Sequence, residues 1–192
     1  MELLTPLNTY LSENIILSEE EVRKLGKDIC QALEICSSSN VIHRDIKPEN
    51  IFINKFGNFK LGDFGIARSL ENKTSGLSTK GTPNYIAPEV VHSTSYDSRA
   101  DIYSLGITLY KLLNRNRLPF IEIEKQILSH HERQIALDKR LSGQAIPAPS
   151  GASAALSSVV LKACAYKPED RYATAKQFSE ALMRAEKGIA EP

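Results

Sequence analysis

The sequence has no excess of either charge. Its 24 Lys plus Arg are matched by 23 Asp plus Glu, for a formal net charge of +1. That balance argues against nucleic acid, and against a polybasic membrane contact, as partners. No apolar run approaches the ~18 residues that a bilayer-spanning helix needs, so no membrane segment is predicted. Cysteine is scarce: Cys30, Cys36 and Cys164 are too few and too scattered for a disulfide framework or a zinc knuckle. All three fall in apolar helical patterns, which predicts small buried thiols in a reducing, cytoplasmic setting. The amino-terminal MELLTPLNTY carries Glu2 and no basic stretch, unlike a secretory signal. Internal repeats and low-complexity tracts are also lacking. What is present is an ordinary globular mixture, 42% hydrophobic and 24% charged over 192 residues. A chain of that size can bury a sizeable core without staples.

The periodicity predicts a mostly helical fold with one small β element. Residues 18–37 form the clearest helix. Ser18 and Glu21 make a capping-box pattern at its start, and Val22, Leu25, Ile29, Leu33 and Cys36 recur at helical spacing. Over 51–61 the period changes: Ile51-Phe52-Ile53 and Phe59-Lys60-Leu61 flank a polar turn, which reads as a hairpin. Residues 69–81 read as a loop. Further helices are predicted over about 98–114, 122–137, 152–165 and 174–187, with a Pro/Gly/Ser connector at 141–151.

Three blocks carry chemistry. VIHRDIKPEN spans Val41 to Asn50, between the first long helix and the hairpin. Asp63-Phe64-Gly65 follows the second strand. GTPNYIAPE runs from Gly81 to Glu89. In this order the blocks resemble the eukaryotic-type serine/threonine protein kinase family, and the resemblance covers its C-terminal lobe over essentially the whole chain. It implies transfer of the γ-phosphoryl group of ATP, with Mg²⁺, to a Ser or Thr hydroxyl of a protein substrate. Such a reaction needs in-line positioning, neutralised phosphate charge and a group that orients the attacking hydroxyl. Asp45, in a loop, can accept the hydroxyl proton. Lys47, two residues on, can offer positive charge to the transferring group. Asn50 and Asp63 are the hard oxygen ligands that magnesium demands, and the hairpin brings their positions together. Gly65 permits a sharp backbone change after Asp63.

By resemblance, Asp45 is the catalytic base and Asn50 and Asp63 hold the metal. Lys47 with Thr82 marks the serine/threonine-specific form of the loop. Met1 to Leu4 resemble the linker between lobes, so that residues 1–10 read as a hinge and a following helix, with Glu2 and Leu4 offering backbone groups to adenine and Phe52 packing beneath it. Residues 41–50 are the catalytic loop and 63–89 the activation segment. Asp101 matches the buried acid that braces the catalytic loop, Tyr103 stands where the family often has Trp, and Glu89 and Arg171 match a buried ion pair. His43 and Phe64 would stack in the hydrophobic spine. Arg44, beside Asp45, implies control by phosphorylation of the loop, with Ser78 and then Thr79 as candidate acceptors.

The sequence shows no Gly-rich phosphate loop, no V-A-I-K lysine and no αC glutamate. The expectation is an incomplete catalytic domain, without the N-terminal β lobe. It would be little active alone and completed by an N-lobe from a missing segment or a partner chain. The alternative is a non-catalytic, kinase-like scaffold that binds protein partners, which the exposed upper surface around Leu3, Phe52 and Phe64 would favour.

Overall fold

The central element is a helix with almost no polar face. In α4 (Arg99–Leu113) every residue except Arg99 and Lys111 is buried. A helix that is buried all round has to be surrounded, and α4 packs against both α2 (Glu19–Ser38) and α6 (Ala154–Ala163). The computed structural model describes residues 3–12, 15–62, 84–92, 96–125 and 127–186. Glu2, Asp63, Phe64, Gly65, Ser78, Thr79 and Thr82 therefore lie outside the described residues. The described helices are completed by α1 (Leu7–Ser12), α3 (Pro88–His92), α5 (His130–Leu141) and α7 (Ala175–Glu186).

Close approach depends on Gly106. A Cβ there would sit 2.9 Å from Cys164 Sγ, 3.0 Å from Ala163 Cβ and 3.2 Å from the Ala163 backbone. Only a residue without a side chain lets α4 and α6 meet at this distance. On its other side, α2 packs against α7 and the sheet. The α2 start carries the expected capping box, with Ser18 and Glu21 each closing on the other's backbone.

The β element is larger than the sequence pattern indicated. Three strands, β1 (Leu4–Pro6), β2 (Ile51–Asn54) and β3 (Phe59–Leu61), form an antiparallel sheet in that order. In place of a simple linker, Leu4 to Pro6 pair with Asn54 to Phe52. Pro6 is tolerated because β1 is an edge strand, where a missing N–H need not cost a ladder bond. The turn between β2 and β3 is built by Asn54. Its Oδ1 accepts from the backbone N–H of Phe56 and Asn58, and Gly57 takes φ 73°. Asp28 of α2 ties the hairpin down, accepting from the Phe59 N–H at 2.9 Å.

The helix expected over 122–137 starts later, at His130. The described residues between 121 and 129 are irregular, and Ser129 with Glu132 forms the capping box that sets the true start. The three cysteines are buried and free. Among the described residues no helix is long and apolar enough to cross a membrane.

Candidate active site

The loop from Val41 to Lys47 has no regular structure, and its shape comes from contacts made elsewhere. Asp101, near the start of α4 and 2% exposed, receives two backbone donors. The N–H of His43 donates to Oδ2 at 2.7 Å and that of Arg44 to Oδ1 at 2.8 Å. Burial pushes the Asp101 carboxyl up from the ordinary range, and the Arg44 and His43 amides, which favour the anion, oppose that rise. Between these anchors Arg44 is held at φ 70°, a left-handed conformation that costs a non-glycine residue about 1–2 kcal/mol. Its guanidinium lies over the Tyr96 ring, 5.5 Å from the centroid.

His43 is a buried connector. Its Nε2 lies 3.1 Å from the Gly62 carbonyl, and its Nδ1 lies 3.4 Å from the backbone N–H of Asp45. These contacts fit a ring that donates from Nε2 and accepts at Nδ1. They link the loop to the end of the hairpin, where the Gly62 N–H also donates to the Asn50 carbonyl at 2.9 Å. Asp63 is the next residue in the chain.

Turning the loop this way leaves the Asp45 side chain 51% exposed. Two neighbours hold it. Lys47 Nζ donates to Asp45 Oδ2 at 2.9 Å, and Asn50 Nδ2 donates to the same oxygen at 2.9 Å and to the Asp45 backbone carbonyl at 2.7 Å. Asn50, 7% exposed, sits at the end of the short 3₁₀ turn Pro48–Asn50, where Pro48 supplies a preset φ. The Asn50 amide nitrogen is engaged twice with Asp45, so its remaining side-chain group is a carbonyl oxygen. That is a hard donor of the kind magnesium takes. Phe52 is half-buried and its ring lies on Gly62, where an added Cβ would fall 2.5 Å from a ring carbon.

Farther from the loop, the Arg171 side chain is completely buried and forks onto Glu89, with N–O distances of 2.6 and 2.7 Å. It also donates to the carbonyls of Ala165, Arg99 and Tyr166. Its guanidinium lies 4.6 Å from the centroid of Tyr103, and that of Arg140 lies 5.4 Å from the same ring. Burial pushes the Tyr103 hydroxyl up to about 12.

Sequence reasoning missed the residues that anchor 84–86. Ser104 donates to the Tyr85 carbonyl at 2.8 Å, Lys111 to the Tyr85 hydroxyl at 3.1 Å, and Arg140 to the Ile86 carbonyl at 2.6 Å. Only for Arg140 was there a signal, an arginine on the buried face of α5 beside Ala136 and Leu137.

Comparison with known proteins gives a consistent result. A family model described as the protein kinase domain matches residues 1–183. The chain is similar to serine/threonine-protein kinase PknB of Mycobacterium leprae, 38% identical over 173 residues, covering 88% of this chain and 27% of that protein. It is 39% identical over 170 residues to serine/threonine-protein kinase Pkn1 of Myxococcus xanthus, covering 82% of this chain and 23% of that protein. With CBL-interacting protein kinase 3 of rice it shares 34% identity over 180 residues, 92% of this chain and 38% of that protein. The chain thus spans about a quarter of the length of the bacterial relatives it matches.

Proposed function

Because this chain belongs to the protein kinase domain family, we propose that it carries the acceptor-activating and metal-holding part of a serine/threonine kinase site. The reaction is transfer of the ATP γ-phosphoryl group to a protein Ser or Thr hydroxyl. The observation that carries this reading is the Asp45, Lys47 and Asn50 cluster, a half-exposed carboxylate flanked by a cation and an amide.

In this reading Asp45 accepts the proton of the substrate hydroxyl and aims its oxygen. Lys47 steadies the Asp45 carboxylate and presents positive charge beside it. Asn50, with its amide nitrogen committed to Asp45, would offer its carbonyl oxygen to the metal, and Asp63 would be the second ligand. Bound magnesium would neutralise phosphate charge on ATP. Leu4 and Phe52 contribute to the adenine side, with Glu2. Thr82 acts with Lys47, and Ser78 or Thr79 receives an activating phosphate that Arg44 holds. Residues 41–50 serve as catalytic loop and 63–89 as activation segment.

The test is transfer of radiolabelled phosphate from Mg·ATP to a serine- and threonine-rich protein, compared with Asp45→Asn. Label on Ser or Thr, falling by roughly 10²–10⁴ in rate in the variant, is expected. Equal labelling by both proteins refutes the assignment of Asp45. Protein binding with no transfer under any condition would instead favour the scaffold reading.

A further inference from the structure

A cavity of about 220 Å³ opens between the end of α4, the irregular segment after it and α5. Four cationic residues line it, Lys111, Arg117, Arg133 and Arg140, and among the described residues no acidic one does. In a chain of nearly balanced charge, this convergence is unusual. Like charges repel, and the low dielectric of a cleft enlarges the effect. Two carboxylates of α5 are engaged elsewhere: Glu132 with Lys125 and Ser129, and Asp138 with Gln134. Among the described residues Lys111, Arg117 and Arg133 form no salt bridge. Lys111 donates to a tyrosine hydroxyl and Arg117 to a backbone carbonyl. Burial lowers the Lys111 pKa, and the charge of Glu49 in the catalytic loop opposes that fall.

The rest of the lining is largely apolar, with Leu118, Leu128 and Leu137. A bare inorganic anion would satisfy the cations and leave this surface uncovered. A glutamate side chain meets both requirements, with methylenes against the leucines and a carboxylate among the cations. Asn84, the first described residue after the 63–83 segment, also lines the cavity, and Tyr85 joins it to Lys111. The site therefore adjoins the segment on which a kinase substrate would lie.

We infer that this basic cavity receives an acidic side chain of the peptide substrate and makes the enzyme prefer serines or threonines near glutamate or aspartate. The substrate identity rests on the kinase reading, but the charge preference can be measured by binding alone, without nucleotide. A short fluorescein-labelled peptide with one serine in a run of glutamates would be titrated by anisotropy, beside its glutamine counterpart. The acidic peptide should bind at least about tenfold more tightly. Arg133→Glu, at an exposed position, and Arg117→Glu should each remove most of that advantage, with circular dichroism confirming the fold. Equal affinity for the two peptides, or an advantage that survives both substitutions, overturns the inference. So does displacement of the peptide by inorganic phosphate at the peptide's own concentration, which would make the cavity a simple anion site. Because no phosphate transfer is involved, failure of the kinase reading would appear separately, in the labelling assay.

Discussion

Replacing Asp101 with Asn changes few atoms and tests how the loop from Val41 to Lys47 is held. The carboxylate accepts from two backbone amides, at 2.7 and 2.8 Å. Asparagine has one acceptor oxygen, so one amide loses its bond and meets an NH₂ group, while the other keeps a weaker, neutral bond. Losing a charge-assisted bond costs about 1.5–3 kcal/mol, and weakening the second adds roughly 1 kcal/mol. Against this, removing a charge that is 2% exposed returns part of its desolvation cost, roughly 1–2 kcal/mol. Unlike a protonated carboxyl, whose hydroxyl oxygen can still accept, the NH₂ group leaves one buried amide unsatisfied, and the expected net destabilisation is about 2 kcal/mol. The chain has no tryptophan, so urea unfolding is best followed by circular dichroism. Amide hydrogen exchange at His43 and Arg44 should accelerate more than the global loss explains, because Arg44 at φ 70° has a strained backbone to release. A stability within about 0.5 kcal/mol of the parent, with both amides equally protected, would show that Asp101 does not brace the loop.

Three further outcomes follow from the same geometry. Glu89→Gln should cost roughly 3 kcal/mol by leaving a completely buried guanidinium without its counter-charge. Arg171→Met should cost more, since it also orphans three carbonyls; the reverse order in denaturant titrations would refute the argument. Gly106→Ala should destabilise by about 1 kcal/mol. The gain in helix propensity, about 1 kcal/mol, is smaller than the roughly 1–3 kcal/mol of overpacking against Ala163 and Cys164, and a stabilised variant would contradict this. Alkaline pH should unfold the protein. Burial pushes Tyr103 and Cys164 both up to about 12, from 10.0 and 9.0. The unfolded chain therefore ionises first: stability is full below about pH 9 and is lost as the pH rises toward about 12. Circular dichroism unchanged across that window would contradict the burial of these groups.

The local parts of this protein were readable from its residues. The capping box of Ser18 and Glu21, the turn at Asn54 and Gly57, and the apolar stripe of α2 depend on neighbours within a few positions, and short-range rules describe them. The order of the HRD, DFG and APE blocks likewise pointed to the family before any contact was known. The same rules misplaced the start of α5, although Ser129 and Glu132 repeated the pattern of Ser18 and Glu21. There the apolar residues Ile123 and Ile127 suggested a period that the cap overrides. The pairing of Leu4 with Asn54 was not legible, because a three-residue strand has too little pattern to announce itself. Nor could spacing reveal the convergence of Lys111, Arg117, Arg133 and Arg140 on one cavity. Residue types and short spacings thus determined the longer helices apart from the start of α5, the turn and the candidate reacting groups. Only the tertiary structure decided which distant side chains meet, because such contacts depend on how α4, α5 and the loops pack together.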